Sequence, residues 1–264
     1  MRILIDGAPG QALDPLDRGL QYGDGLFETV AWRRGAPRLA EYHFERLATG
    51  CDRLGLPRPA ERMLLAEMAE AAGAQDATVK VIVTRGSGPR GYRPPAVPSP
   101  RRIVAGFDPP AQPAGPWHAR LCEMRLGRNP ALAGLKHLNR LEQVLARAEW
   151  DDAGVHEGIM LDDLGRVVCG THSNVFVAAA GRLVTPRVDE CGVAGVMRRA
   201  VLTWARACGL DAAEAHLTVD ELRAAEEVFV TSALIGARPL ASIDGLPLAG
   251  GVLHEEFEAW LEAC

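Results

Sequence analysis

Between residues 108 and 116 the chain reads Asp-Pro-Pro-Ala-Gln-Pro-Ala-Gly-Pro, with four prolines in nine positions. Each proline fixes its own φ and lacks an amide donor, so neither a helix nor a central strand passes through this stretch. The break divides the chain into two parts, each long enough to bury a core of its own. The division expected is a smaller N-terminal α/β domain over 1–108, a Pro-rich linker over 109–117 and a larger domain over 118–264.

Local patterns on either side are mixed. Residues 2–6 and 26–32 read as strands flanking the turn Tyr22-Gly23-Asp24-Gly25. From Leu39 to Leu56 apolar positions recur at helical spacing and close on Gly55. A second helix is expected over 60–73, and the β-branched run 78–84 is a strand. In the second half a helix is expected over 139–150, with Asn139 and Glu142 in capping-box positions. A hairpin is expected over 158–169, strands at 174–178 and 227–231, and a helix over 196–208 with Gly209 beyond its end. The class is therefore α/β (α+β) in two domains.

Hydrophobic residues make up 48% and charged residues 24%, as in a soluble globular protein, and a net charge of −5 gives no reason to expect nucleic acid or an anionic membrane. No apolar run approaches the roughly 20 residues of a bilayer span, and MRILIDGAPG does not read as a signal peptide. The six cysteines (51, 122, 169, 191, 208 and 264) have no CxxC or metal spacing, a pattern that suits a reducing cytoplasm.

Of the 29 lysines and arginines only Lys80 and Lys136 are lysine; the other 27 are arginine. Where arginine replaces lysine so freely, a remaining lysine is a candidate for work a guanidinium cannot do, such as losing its proton and forming a Schiff base. Lys80 is mid-strand, and two readings stand: a functional amine, or a sheet lysine whose head reaches solvent. Lys136 follows Gly134 and precedes a helix, where it is either a salt-bridge lysine or an amine at the rim of a cleft. Residues 86–91 match GxGxxG, but Pro89, Pro94 and Pro95 forbid the helix a dinucleotide site requires. A loop carrying Arg85, Arg90 and Arg93 remains. Residues 192–195 lead into a helix, where they form either an ordinary turn or a seat for one phosphate group. His172, in Thr171–Asn174, reads as a hydrogen-bonded loop residue or a catalyst.

Several segments together resemble the fold-type-IV pyridoxal phosphate (PLP) enzymes, the group of D-amino acid and branched-chain aminotransferases and aminodeoxychorismate lyases. They are DRGLQYGDGLFET (17–29), HFERL (43–47), Lys136, GTHSNVF (170–176), GVMR (195–198) and EVFVTSA (227–233). Within the group, RGSGPRGY (85–92) and RLGRNPALAGLKHLNRLEQVL (125–145) are most similar to the lyases.

The resemblance implies a D-amino acid aminotransferase-like fold, PLP as cofactor, a homodimer and the conversion of 4-amino-4-deoxychorismate to 4-aminobenzoate and pyruvate in folate synthesis. It implies that Lys136 is the Schiff-base lysine and proton shuttle, and that Arg46 holds the cofactor phosphate together with the backbone of Val196 and Met197, Ser232 and Ala233. Asn139, Arg90 and Tyr92 are implied substrate contacts. Cys169 occupies the place of a glutamate that normally pairs with the pyridine nitrogen, a departure that bears on transamination more than on lyase chemistry. The alternative implied activity is an aminotransferase acting on D- or branched-chain amino acids.

Overall fold

Strand β3 (Gly25–Arg33) turns Leu26, Glu28, Val30 and Trp32 to one face and Phe27, Thr29 and Ala31 to the other, by the two-residue period of an extended chain. In the computed structural model, which describes residues 1–263, it belongs to a unit made of Met1–Ala111 and Leu135–Asn139. The other strands of this unit are β1 (Arg2–Ile5), β2 (Ala8–Pro9), β4 (Ala36–Pro37), β5 (Ala77–Thr84) and β6 (Arg101–Phe107), and all six pair antiparallel in the order β2-β1-β6-β5-β3-β4. A short helix α1 (Arg18–Tyr22) precedes β3, while α2 (Ala40–Leu54) and α3 (Glu61–Ala72) supply residues to the core. Leu47 and Cys51 of α2 and Leu64 and Met68 of α3 pack with Leu26, Val30, Val79, Val81, Val83 and Val104. The expected start of α2 moves by one residue, because Leu39 adopts a left-handed conformation (φ 56°) and stands outside the helix.

The opposite face of the sheet, with Phe27, Thr29, Lys80, Ile82 and Ile103, is half-buried. Residues 135–139 join the free edge of β3 at its start: the Phe27 amide donates to the Lys136 carbonyl (2.9 Å) and the Leu138 amide to the Gly25 carbonyl (3.0 Å). This segment was assigned on sequence grounds to the second domain, and its backbone hydrogen bonds place it with the first. The main division falls inside the Pro-rich stretch, between Ala111 and Gln112.

The second unit comprises Gln112–Gly134 and the chain from Arg140. Its strands are β7 (Trp117–Leu126), β8 (Glu157–Asp162), β9 (Val167–Gly170), β10 (Asn174–Ala179), β11 (Arg182–Pro186), β12 (Asp211–Ala215), β13 (Glu227–Ser232), β14 (Gly236–Ile243) and β15 (Leu246–Pro247). They form a mixed sheet ordered β12-β11-β10-β13-β14-β7-β8-β9, with β15 on β14. The helices are α4 (Leu141–Arg147), α5 (Val196–Ala207), α6 (Val219–Ala224) and α7 (Leu253–Ala263). Cys264 lies outside the described residues.

The capping box expected at Asn139 and Glu142 does not form. The N-cap of α4 is Arg140, the Asn139 amide donates to the Gly23 carbonyl (3.2 Å), and Glu142 accepts from the Gly127 amide (2.8 Å). Both side chains serve tertiary contacts instead. A true capping box forms at Thr218 and Glu221.

Gly25 sits where three backbones converge. A Cβ there would strike the Val83 carbonyl oxygen and stand 2.9 Å from Leu138 Cδ1 and 3.0 Å from Thr84 Cα. Gly25→Ala should therefore cost about 1–3 kcal/mol through overpacking. A lowered midpoint in urea titration checks this.

Candidate functional site

The first unit places Lys136 by backbone pairing. Leu26 and His137 form an antiparallel bridge, so Lys136 stands directly across from Phe27 and on the same face. Its Nζ lies 4.3 Å from the centroid of the Phe27 ring. Three residues on, Asn139 is bonded to Gly23, and a Cβ at Gly23 (φ 66°) would come within 2.5 Å of the Asn139 amide oxygen. The turn at residues 22–25 and the lysine segment thus fit each other closely.

On the core face of the same strand, Glu28 is buried. It accepts from Arg46 Nε (2.8 Å), from a second nitrogen of the same guanidinium, and from His43 Nδ1 (2.6 Å). Burial alone would push its carboxyl up, but the Arg46 charge and the hydrogen bonds from Arg46 and His43 outweigh it and hold the group at about 2. Burial holds the His43 imidazole below its ordinary value against the pull of Glu28. The neutral ring donates from Nδ1, and its Nε2 has no hydrogen-bond partner among the described residues. Glu28 thereby fixes the direction of Arg46, the cation expected to hold phosphate.

Arg90 and Tyr92 lie in a loop with no helix in it, as the prolines require, and both are exposed. The loop is held from below. Arg18, itself buried, donates to the carbonyls of Gly91 (2.8 Å) and Tyr92 (3.0 Å) and, through Nε, to Asp24 (2.9 Å). Arg85 donates to Asp24 (2.8 Å) and to the carbonyls of Leu54 and Gly55 at the end of α2. The Tyr92 ring meets Tyr22 edge-on at 5.5 Å.

In the second unit, α5 begins at Val196 behind Gly195, which has no side chain to cap the first turn. Val196 and Met197 are both buried, so their amides stand at a desolvated helix N-terminus that favours an anion. A Cβ at Gly195 would overlap the Asn174 side-chain oxygen, and Asn174 Nδ2 donates to the Val193 carbonyl (3.0 Å). Across the ladder from Asn174 is Thr231, whose fully buried Oγ1 has no hydrogen-bond partner among the described residues. Ser232 ends β13 and Ala233 begins the turn after it. Uncapped amides and an orphaned hydroxyl are what a bound phosphate group would complete.

Cys169 lies on β9, buried. Burial, reinforced by Cys191 and Glu157, pushes its thiol well above the ordinary range, so it is neutral. The carboxylate of this region is Glu157, fully buried at the start of β8. It accepts from the Thr171 amide (3.0 Å), the hydroxyls of Thr171 and Ser173 (2.6 Å each) and the Gly158 amide (2.9 Å), with His172 Nδ1 at 3.1 Å. Burial opposes ionisation, but the His172 charge and these hydrogen bonds hold the carboxyl below its ordinary value. Glu157 thus pins the loop between Cys169 and Asn174, and His172 is a hydrogen-bonded loop residue.

Glu28, Glu157, Arg18 and Asp24 were not singled out from sequence. For Glu28 the signal was present: an acid between Leu26 and Val30 on the buried period of a strand needs a buried cation. Glu157 gives no comparable pattern, because every residue of β8 is buried and no alternation marks it.

Glu28 has a pH signature. Its native carboxyl is near 2 against 4.5 when free, so its contribution is complete above pH 4.5 and is lost as pH falls from there towards 2. Glu28→Gln should cost about 3 kcal/mol at pH 7 in urea titration and flatten the stability profile between those pH values.

The comparisons accord with this layout. The family model described as amino-transferase class IV matches residues 25–243. The crystal structure of 4-amino-4-deoxychorismate lyase from Pseudomonas aeruginosa is 46% identical, with a TM-score of 0.94 over 99% of this chain and 98% of that one. Aminodeoxychorismate lyase of Vibrio harveyi is 36% identical over 90% of both chains. D-alanine aminotransferase of Bacillus licheniformis is 31% identical over 95% of this chain and 91% of its own. On a match of this extent, the chain belongs to the class IV aminotransferase family.

Proposed function

We propose that this protein is a PLP-dependent lyase that converts 4-amino-4-deoxychorismate to 4-aminobenzoate and pyruvate. The observation that carries the reading is the 46% identity to such a lyase along nearly the whole of both chains. A chemical reason supports it: Cys169, which by the resemblance takes the place of the glutamate an aminotransferase of this group turns to the cofactor ring, is a buried neutral thiol.

Pyridoxal phosphate, when bound, supplies an electron sink for the carbon bearing the substrate amine. The rest falls to the chain. Lys136 would be the residue that anchors the cofactor covalently; once the 4-amino group of the substrate has displaced it, the freed Nζ would be the base for the proton at C4 and would return a proton to the departing pyruvate. Pairing of residues 136–138 with β3 keeps that amine at a fixed height over Phe27, so proton transfer runs over a short path. The roles assigned to Val196 and Met197 are amide donors to the phosphate, with Ser232 and Ala233 completing the cup and Arg46, aimed by Glu28, adding a positive charge. Asn139, Arg90 and Tyr92 are the proposed substrate contacts. Expulsion of pyruvate leaves an aromatic ring, so the step asks less of the cofactor than transamination does.

The protein is proposed to act in the cytoplasm as a homodimer. All five described cysteines are free thiols, and no helix among the described residues is long and apolar enough to cross a membrane. Leu141, Val144 and Leu145, at helical spacing on α4, leave an apolar strip exposed that a second copy would cover.

Two measurements test the reading. Purified protein should release 4-aminobenzoate and pyruvate without an amino acceptor, and borohydride should fix the cofactor to Lys136 in peptide mapping. Lys136→Ala should lose turnover by about a thousandfold or more, and Lys136→Arg should fail as well despite its charge. An adduct elsewhere, or no products, removes the proposal. Cys169→Glu should raise transamination of D-alanine or branched-chain amino acids; no gain in a coupled assay would break the argument from the thiol.

A further inference from the structure

Strands β7 and β14 pair in parallel from Trp117 and Leu240 onward. Upstream of that point the ladder stops. Pro113 and Pro116 lead into β7 and Pro239 precedes Leu240, and none of the three has an amide to donate. On its other flank β14 stays paired, with Arg238 opposite Val230 and Ala237 opposite Thr231 of β13. The second edge of β14 at residues 237–239 therefore has no strand partner among the described residues, and beside it lies a cleft of about 590 Å³. The three prolines line the cleft, together with Arg238 and with His254, Glu255 and Glu258 of α7.

Two opposite charges sit on that edge. The Ala237 amide donates to Glu258, and Arg238 Nη1 donates to the Ala237 carbonyl (3.2 Å). The amide and carbonyl of one strand residue point the same way, so the carboxylate and the guanidinium stand side by side. Arg238 Nε is buried and has no hydrogen-bond partner among the described residues. A buried guanidinium N–H without an acceptor is unfavourable, and a ligand oxygen relieves it. Glu255 lies three residues before Glu258 on α7, on the same side of the helix, with its side chain 72% exposed. Glu227, buried on β13, accepts from the amides of Leu253 (2.9 Å) and His254 (3.0 Å) and lies 2.6 Å from His254 Nδ1. These bonds fix the start of α7 and with it the position of both glutamates.

The lining sets the chemistry of the ligand. A simple anion at Arg238 would meet Glu258 and Glu255, and a simple cation at the glutamates would meet Arg238. A molecule with a carboxylate and an ammonium on neighbouring atoms satisfies both at once. A free α-amino acid has that pattern, whereas a peptide terminus carries just one of the two charges. The volume falls within the range of small-molecule sites, roughly 300–1,000 Å³, and exceeds what those two charged groups fill. The remaining wall is pyrrolidine, against which a flat apolar ring packs. We propose that this cleft is a binding site for a free aromatic α-amino acid, with its carboxylate on Arg238 Nε and its ammonium on Glu255 and Glu258. The site stands or falls independently of the lyase reading.

Calorimetric titration with L-phenylalanine tests the proposal. The protein is first treated with borohydride, so that an amino acid cannot displace Lys136 from the cofactor. One molecule should bind per chain at millimolar concentration or below. Hydrocinnamate lacks the amine, phenethylamine the carboxylate and L-alanine the ring, and each should bind at least about tenfold more weakly. Arg238→Met and Glu255→Gln should each weaken L-phenylalanine by about fivefold or more while keeping the wild-type melting temperature. No heat of binding at millimolar L-phenylalanine overturns the proposal, as does unweakened binding by Arg238→Met. Any of the three analogues binding as tightly as L-phenylalanine overturns it too, since the site would then read a single group and not the whole amino acid.

Discussion

Two backbone hydrogen bonds between residues 136–138 and the start of β3 govern the chemistry available to this chain. They take a lysine that belongs, by position in the sequence, to the second half and set it on the sheet of the first. Side-chain contacts could hold the amine near the sheet, but backbone pairing fixes its face and its register. A slip of one residue would turn Lys136 to the other face, among the packed side chains of α2 and α3. Gly25 and Gly23 are small because this approach leaves no room for a Cβ.

Among the buried carboxylates, Glu28 in the first unit and Glu157 in the second do comparable work. Glu28 joins β3 to α2 through Arg46 and His43; Glu157 joins β8 to the loop that follows β9 through two hydroxyls and backbone amides. Neither carboxylate could remain ionised in an apolar interior without those donors, and neither set of donors would converge without the carboxylate. Glu28 has an additional consequence. A guanidinium gripped by a buried acid loses the freedom to swing, so it meets an anion from a fixed direction and at little entropic cost.

Much of this was legible in the sequence because it depends on short-range pattern. The alternation in β3 and β5, the helical spacing of His43, Leu47 and Cys51, and the glycine-led start of α5 all report local periods and end signals, and the elements form where those signals stand. The scarcity of lysine reduced the candidate amines to two. What pattern could not carry was tertiary satisfaction of polar groups. Asn139 and Glu142 have capping-box spacing, yet each finds a distant backbone partner instead. The anchoring of residues 91–92 by Arg18 links positions more than seventy residues apart, and no periodicity announces it. A single cut at the Pro-rich stretch could not represent a five-residue segment, 135–139, that returns to the first sheet.

Cys169 ties the sequence to the reaction. A thiol in the place of a carboxylate would be a defect in an enzyme that depends on a cationic pyridine ring to hold negative charge through both halves of a transamination. Buried beside Cys191 and near Glu157, it has no means of acting as a substitute anion, since every neighbour that matters, save Arg140, drives it towards the neutral form. The chain nevertheless keeps the lysine pairing, the uncapped α5 terminus and the Thr231 hydroxyl without a partner among the described residues, features that fit a phosphate-bearing cofactor. A scaffold that retains its means of holding the cofactor while giving up one means of activating it is consistent with a reaction whose product supplies driving force of its own. The aromatic ring formed as pyruvate leaves is such a product, and on the proposed reading a thiol at position 169 is better suited to elimination than to amino transfer.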